Sequence, residues 1–291
     1  TLWVSSNVGV SRIIDDHYHN NPEKYVEGIH RLGLADDLRL PITGYSPAII
    51  RMPKKDSRGK QYVNWSKTTL PWMSIGYETQ VPPISTLTFY NAIANGGKMM
   101  RPRFVKEVRK NGVTVEKFPP VVMREHIAKE TTIKKITHIL EQVVSVGLGK
   151  KAGSPSFLVA GKTGTAQISK GTAGYKSGQV NYLLSFAGFF PAYEPRYSCI
   201  VCIQKSGLPA SGGGMSGVVF HDIAEGIMAQ SLKLEAADAR DSLSILIPQV
   251  KNGNILAADY VLTHLGFEPR ADWDGSYADG NPIWGRAAET G

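Results

Sequence analysis

A chain of 291 residues, 42% hydrophobic and 20% charged, can bury one large core, or one core with a small appendage, and it has no low-complexity tract. No apolar run reaches the roughly 18 residues that a bilayer span needs, so none of these residues is predicted to enter a membrane. Lys and Arg outnumber Asp and Glu by 33 to 25, a net charge of +8, but the cations are scattered without an aromatic-interleaved stripe, which favours a solvated surface over a nucleic-acid partner.

The first residues, TLWVSSNVGVSRII, carry no initiator Met, basic leader or cleavage site and enter a structured pattern at once. The chain is therefore expected to be cut from something longer. Helices are predicted over Val8 to Tyr18 and Glu23 to Leu32, the second opened by Asn21-Pro22. Gly44 to Trp65 has turn and charge signals with little period and reads as a surface excursion. Ile84 to Ala94 has helical spacing and stops at Asn95-Gly96-Gly97. Phe104 to Val108 and Val113 to Phe118 flank Asn111-Gly112, a hairpin signal. Thr131 to Val146 places Ile133, Ile136, Ile139, Leu140, Val143 and Val144 along one helical face. Three strands follow, at Phe157 to Ala160 running into Lys162, Tyr182 to Phe190 and Tyr197 to Gln204, and then a helix over Val218 to Leu232. Helix, three consecutive strands and helix make an α+β pattern, an antiparallel sheet covered by helices. Leu234 to Asp241 is charged and short of large apolar side chains, as a linker would be. Beyond it a strand, a helix and a further strand are predicted, so the expected division is a domain over 1–232, a linker over 233–242 and a small unit over 243–291.

The segment FLVAGKTGTAQ tests a phosphate-binding loop first. That loop needs Gly-x-x-x-x-Gly-Lys-[Ser/Thr], and counting back five residues from Gly161 reaches Ser156, not Gly. On a strand, Lys162-Thr163-Gly164-Thr165 suits a different task. The lysine brings positive charge for a substrate carboxylate, the threonines bring donors, and Gly164 lets backbone approach substrate closely. Such an edge can also pair with an extended peptide. At the other end, Ser5-Ser6-Asn7 opens a helix, where Ser and Asn commonly serve as caps.

Other candidates are weaker. Cys199 and Cys202 stand three apart on a strand, on opposite faces, which suits neither a disulfide nor joint metal ligation and points to core packing. His17 and His19 sit on a polar helix end and read as solvated. Gly212 to Val218, GGGMSGV, is the nearest approach to a Gly-x-Ser-x-Gly elbow and fails at its last position. Asp272, Asp274 and Asp279 lack the glycine that an EF-hand loop requires, since Tyr277 is there, and read as turn residues.

Taken together, Ser5-x-Asn7 and, much later, Lys162-Thr163-Gly164 after an apolar strand resemble the penicillin-binding protein transpeptidases and the related serine beta-lactamases. The stretches SSNVGVSRI, MSIGYETQVPPISTLTFYNAIANGGKMMRPRFV and FAGFFPAYEPRYSCIVCI are similar to the class B branch and extend the resemblance from residue 1 to about 232. It implies the transpeptidase fold, no cofactor, and acyl transfer from D-Ala-D-Ala stem peptides through a serine ester, with beta-lactam antibiotics as inhibitors. Ser5 would relay protons, Asn7 would hold a substrate amide, and Lys162 would order Ser5. Thr163 and Thr165 would bind the terminal carboxylate, Gly164 between them would be part of the same substrate-binding strand, and the N–H of Thr165 would serve as an oxyanion donor. The resemblance also implies an N-terminal membrane anchor, a catalytic domain outside the inner membrane, and a wall-synthesis or division complex.

One motif is out of place. The family's Ser-x-x-Lys, which supplies the nucleophile, precedes Ser-x-Asn, and only four residues precede Ser5. The Ser-x-x-Lys at Ser57-Arg58-Gly59-Lys60 comes later, in a charged, glycine-containing string after Pro53 that reads as a surface loop. Residues 1–291 alone are thus expected to be inactive. The tail SILIPQVKNGNILAADYVLTHLGFEPR is similar to the opening of a PASTA module, which leans toward a division-type enzyme. The competing expectation is a catalytically inactive muropeptide- or beta-lactam-sensing module of the same fold.

Overall fold

The computed structural model describes residues 1–59, 61–168, 180–238 and 264. The chain divides into two compact units, Thr1–Glu225 and Gly226–Gly291. Apart from His264, the PASTA-like tail with its aspartates lies outside the described residues, as does Lys60.

The first unit begins with helices α1 (Asn7–Tyr18) and α2 (Pro22–Arg31). Ser6 caps α1 by accepting the Gly9 N–H at 3.1 Å, and Pro22 stands at the first position of α2, where its missing N–H costs nothing. The segment expected to be a featureless excursion contains a strand, β1 (Ile49–Ile50), paired with β2 (Thr79–Gln80), and a bridge between Lys55 and Tyr62. Short helix α3 (Thr69–Ser74) lies between them. Ile50 and Met73 close on Val26 of α2 with Trp65 and Val81 against them, a small core of their own. The excursion is pinned because its few apolar side chains have a helix face to cover.

Next come α4 (Pro83–Ala94), β3 (Met99–Met100), the ribbon β4 (Glu107–Lys110) and β5 (Val113–Lys117), β6 (Val122–Arg124) and α5 (Glu130–Ser145). The Asn111-Gly112 turn has positive φ at both residues, 53° and 80°, as a two-residue hairpin of this kind demands. Its first strand starts at Glu107 rather than Phe104. Arg124 of β6 reaches back to the loop after α2, where its Nε and Nη2 donate to the two carboxylate oxygens of Asp36 at 2.6 and 2.7 Å. This bidentate pair, only partly screened by solvent, holds the helical part to the sheet part. Asp36→Asn is expected to lower unfolding stability by about 1–2 kcal/mol; an unchanged urea midpoint would show the pair to be decorative.

The last third is sheet β7 (Ala160–Ile168), β8 (Asn181–Phe190) and β9 (Tyr197–Ser206), in that order and antiparallel throughout. Ala160 and Phe189 share one face and pack with Ile133 and Leu140 of α5 and with Ala92 and Ile93 of α4. Phe186 and Phe190 belong to the opposite face and meet Phe220 at ring-centroid distances of 4.6 and 5.7 Å. Phe220 stands on α6 (Gly217–Asp238). The fold is thus α+β, helices covering both faces of an antiparallel sheet.

Three further expectations are corrected. Phe157 to Val159 precede the strand instead of forming it, because the ladder to β8 ends at the Ala160–Phe189 pair. Val159 is buried all the same, and Leu158 contributes only its carbonyl, to the Ala192 N–H at 2.8 Å. Helix α6 runs on through Leu234 to Asp238, where a linker was expected, since Leu, Glu and Ala are strong helix formers. Cys199 and Cys202 are free, half-buried and exposed respectively, on the edge strand β9, so they do not fill the core, and partial burial pushes both thiols' pKa up. The positive φ of Glu78, 57°, has no counterpart in any sequence signal.

Candidate active site

The site is built from two ends of the chain. Its floor is β7, an edge strand of the sheet. In an antiparallel edge strand alternate residues present both N–H and C=O to the open side. The Gln167 N–H donates to Tyr77 Oη at 3.2 Å and the Thr163 carbonyl accepts from Lys162 Nζ at 2.9 Å. Both groups lie off the ladder, so the N–H of Thr165, between them in the same parity, faces the open side too.

Two glycine devices make room for this strand. A Cβ on Gly164 would stand 2.3 Å from Ser185 Oγ. Behind it, the π-type turn Gly212–Ser216 is pressed onto the strand: a Cβ on Gly212 would lie 2.1 Å from the Gly164 carbonyl oxygen, and the Gly212 N–H donates to Thr165 Oγ1 at 3.0 Å. The Thr165 hydroxyl is thereby oriented, with its own proton left to donate. GGGMSGV, considered and dropped as a hydrolase elbow, is the buttress of the Lys-Thr-Gly strand. Its glycine run was the visible signal, but a close backbone approach leaves no mark that says which backbone is approached. Gly212→Ala is expected to cost about 3 kcal/mol, because the clashing atoms are main chain and cannot swing aside. A thermal midpoint equal to the parent's would mean that the turn does not bear on β7.

Ser5 is brought to this floor by the start of the chain. Leu148, just past α5, donates its N–H to the Trp3 carbonyl at 3.1 Å, and Gly147 admits that carbonyl where a Cβ would sit 2.3 Å away. The turn closes with the Ser5 N–H on the Leu2 carbonyl, and Ser5 itself takes φ 49°, a left-handed conformation that a non-glycine residue adopts at some cost.

Lys162 Nζ donates to Ser5 Oγ at 2.7 Å, across 157 residues of sequence, and also contacts Thr163 Oγ1 at 3.2 Å. Burial lowers the Lys162 pKa, since desolvation disfavours the ammonium. Three neutral oxygens compensate without a carboxylate, which leaves a positive potential over the cleft. Asn7 opens α1, two residues on, and is exposed.

Ser57, Arg58 and Gly59 form an exposed turn between the bridged residues Lys55 and Tyr62, with the Gly59 N–H on the Asp56 carbonyl at 2.9 Å. That is no place for a nucleophile, which needs the start of a buried helix. His17 Nδ1 lies 2.8 Å from the Ile13 carbonyl and His19 Nδ1 3.4 Å from Asp15, both exposed, and no His/Cys/Asp/Glu cluster that could hold a metal occurs among the described residues.

The profile of the penicillin binding protein transpeptidase domain matches residues 2–225. The chain is 29% identical over 234 residues to penicillin-binding protein PbpB of Mycobacterium tuberculosis, covering 77% of this chain and 32% of that one. To the peptidoglycan D,D-transpeptidase FtsI of Escherichia coli it is 27% identical over 255 residues, covering 85% and 38%. A crystal structure of Mycobacterium tuberculosis penicillin binding protein 3 complexed with aztreonam superposes with a TM-score of 0.64 at 28% identity, over 79% of this chain and 50% of that one. The chain spans about a third of the length of these curated relatives. The matched residues run from Ser5 through the Lys162 strand to α6, and the chain belongs to the class B penicillin-binding protein transpeptidases.

Proposed function

We propose that this chain supplies most of the catalytic domain of a peptidoglycan cross-linking D,D-transpeptidase. The observation that carries the reading is the 2.7 Å contact of Lys162 Nζ with Ser5 Oγ, on the open side of an edge strand. A stem peptide ending in D-Ala-D-Ala would lie along β7, its backbone pairing with the outward groups of Thr163 and Thr165. Its terminal carboxylate would meet the hydroxyls of Thr163 and Thr165 and the potential of Lys162, and Asn7 would hold a substrate amide.

The attacking serine would come from a Ser-x-x-Lys segment outside residues 1–291, docked beside Ser5. Two features support this. The internal Ser-x-x-Lys begins on an exposed turn, and an apolar surface stands open beside Ser5, with Val4 63% and Val8 79% exposed. As that serine gives its proton to the lysine of its own Ser-x-x-Lys and adds to the penultimate carbonyl, the Thr165 N–H would take charge from the oxyanion. Ser5, held by Lys162, would pass a proton to the departing D-Ala amine, and an acceptor amine would then displace the serine from the ester. The FtsI and PbpB relatives and the aztreonam complex support a wall enzyme inhibited by beta-lactams. Membrane anchoring and a division complex are part of the same proposal.

The test uses protein that includes the Ser-x-x-Lys segment. It should take covalent label from a fluorescent penicillin on that serine and release D-Ala from a D-Ala-D-Ala stem. Non-covalent, reversible binding of both ligands without D-Ala release would replace this reading with a sensor.

A further inference from the structure

A groove of about 850 Å³ adjoins the cleft and takes no part in the proposed acyl transfer. Its volume falls within the range of small-ligand sites. Tyr77 joins the two. Its hydroxyl accepts the Gln167 N–H on the open side of β7 at 3.2 Å, and its ring is braced edge-on by Trp72 at 4.9 Å between centroids. The next three residues, Glu78, Thr79 and Gln80, line the groove. With the outward N–H of Gln167 already taken, a peptide that lies along β7 from Lys162 has to leave the strand at Tyr77.

The groove is polar, and its charges are matched. Arg51 Nη2 donates to Glu78 Oε2, and both side chains stay partly open, 43% and 34% exposed. The Arg51 guanidinium also stands over the Trp65 ring, 5.9 Å from its centroid. Glu78 meets it from a left-handed backbone, φ 57°, a conformation that costs a non-glycine residue energy and that clusters at ligand sites. Pairing neutralises the two groups but leaves further guanidinium N–H donors and the other carboxylate oxygen to bond. That set suits hydroxyl and amide groups, which both donate and accept. An anion would find the cation already matched, and an amine the carboxylate. Ile49 and Val63, also in the lining and 57% and 66% exposed, add apolar surface that the C–H face of a sugar ring covers.

We propose that this groove binds the saccharide to which the donor stem peptide is attached. The inference rests on the transpeptidase reading, which sets the terminal carboxylate at Thr163 and Thr165 on the Lys162 side and the penultimate carbonyl at the Thr165 N–H. The rest of the stem then runs toward Gln167. Lys162 to Gln167 is a stretch of strand about 17 Å long, and an extended stem of about five residues has the same length. The peptide therefore ends near Tyr77, where the groove begins, and the sugar is the part of a peptidoglycan substrate that remains to meet Arg51 and Glu78.

The experiment uses protein that includes the Ser-x-x-Lys segment and two substrates, a D-Ala-D-Ala stem peptide with its amino end acetylated and the same stem carrying its amino-sugar disaccharide. D-Ala release should show a kcat/KM at least about tenfold higher for the second, the effect expected of a hydrogen bond to a charged group. The double substitution Arg51→Gln with Glu78→Gln should abolish that advantage. Turnover of the bare stem and the rate of penicillin labelling should stay unchanged, since neither residue touches the reacting atoms. A partly exposed ion pair contributes little to folding. Gln80→Ala, at an exposed position of β2, is a second variant and should reduce the advantage in part. Saturation-transfer NMR with the disaccharide-linked stem reads the contact without turnover: the sugar protons should take saturation from the parent protein and lose it in the double variant. Equal kcat/KM for the two substrates, or an advantage that survives the double substitution, would overturn the saccharide site while D-Ala release upholds the transpeptidase. No release from either stem would instead sink the transpeptidase reading, and silent sugar protons would then sink the saccharide site as well.

Discussion

Incubated alone with a fluorescent penicillin, the 291-residue chain is expected to take up no covalent label, and to label once a Ser-x-x-Lys segment is supplied ahead of Ser5. Acylation needs an activated oxygen, and the candidates in the chain each lack one requirement. Ser57 lies on an exposed turn, away from the start of any buried helix. Ser5 is in the cleft, but its oxygen accepts a bond from Lys162 Nζ, and a protonated amine that donates to a hydroxyl does not strip its proton. Losing a nucleophile typically removes several orders of magnitude in rate while binding groups persist. Mass mapping of the label decides the matter. A stable adduct on Ser5 or Ser57 in the isolated chain would sink the proposed division of labour.

In protein that carries the nucleophile, Lys162→Met is expected to slow penicillin labelling by about 10²–10⁴-fold, the range for a displaced proton relay. Methionine keeps the length and apolar bulk of the side chain, so the loss would be of charge and of the Ser5 contact, not of packing. Folding stability should not suffer. Burial sets the folded pKa of Lys162 below its unfolded value, so the unfolded chain binds more protons between the two. The wild-type fold therefore gains stability as pH rises through that window and bears the cost of a buried ammonium below it. Met removes that cost. The labelling rate of the wild type should also begin to fall at a lower pH than an ordinary lysine would impose, as Nζ loses its proton. A flat alkaline limb, or labelling that survives the substitution, would show that Lys162 does not act through its charge.

Much of this arrangement is legible in the sequence, for identifiable reasons. Helix α5 follows from apolar side chains at helical spacing, and α1 from Ser6 before a periodic run. The Lys-Thr-Gly strand follows from Ser156, which stands where a phosphate loop needs glycine, and from the apolar run before Gly161, although that run feeds the strand without joining its ladder. What stayed hidden is non-local. Nothing in GGGMSGV says that Gly164 lies against it, and nothing in Gly147 says that Trp3 needs the space. Likewise the exposure of Val113 and Val115, 67% and 58%, could not be read from an alternating hairpin pattern, because the same pattern packs one face in most proteins and here packs neither.

The Ser5–Lys162 contact closes a loop of more than half the chain, and this bears on when the site comes into being. Loop-closure entropy opposes such a long-range contact until other structure has shortened the effective span. Helix α5, packed on the sheet, does that by bringing Leu148 to Trp3, so the serine is delivered only after α5 and β7 are both in place. Contacts of high sequence separation are the slow ones in folding. A polypeptide emerging from synthesis would expose Ser5 and α1 long before Lys162 exists to meet them, and no partial product could offer a half-built cleft to stem peptide or drug. The Ser5–Lys162 pair is a property of the folded domain, and neither end of the chain holds it alone.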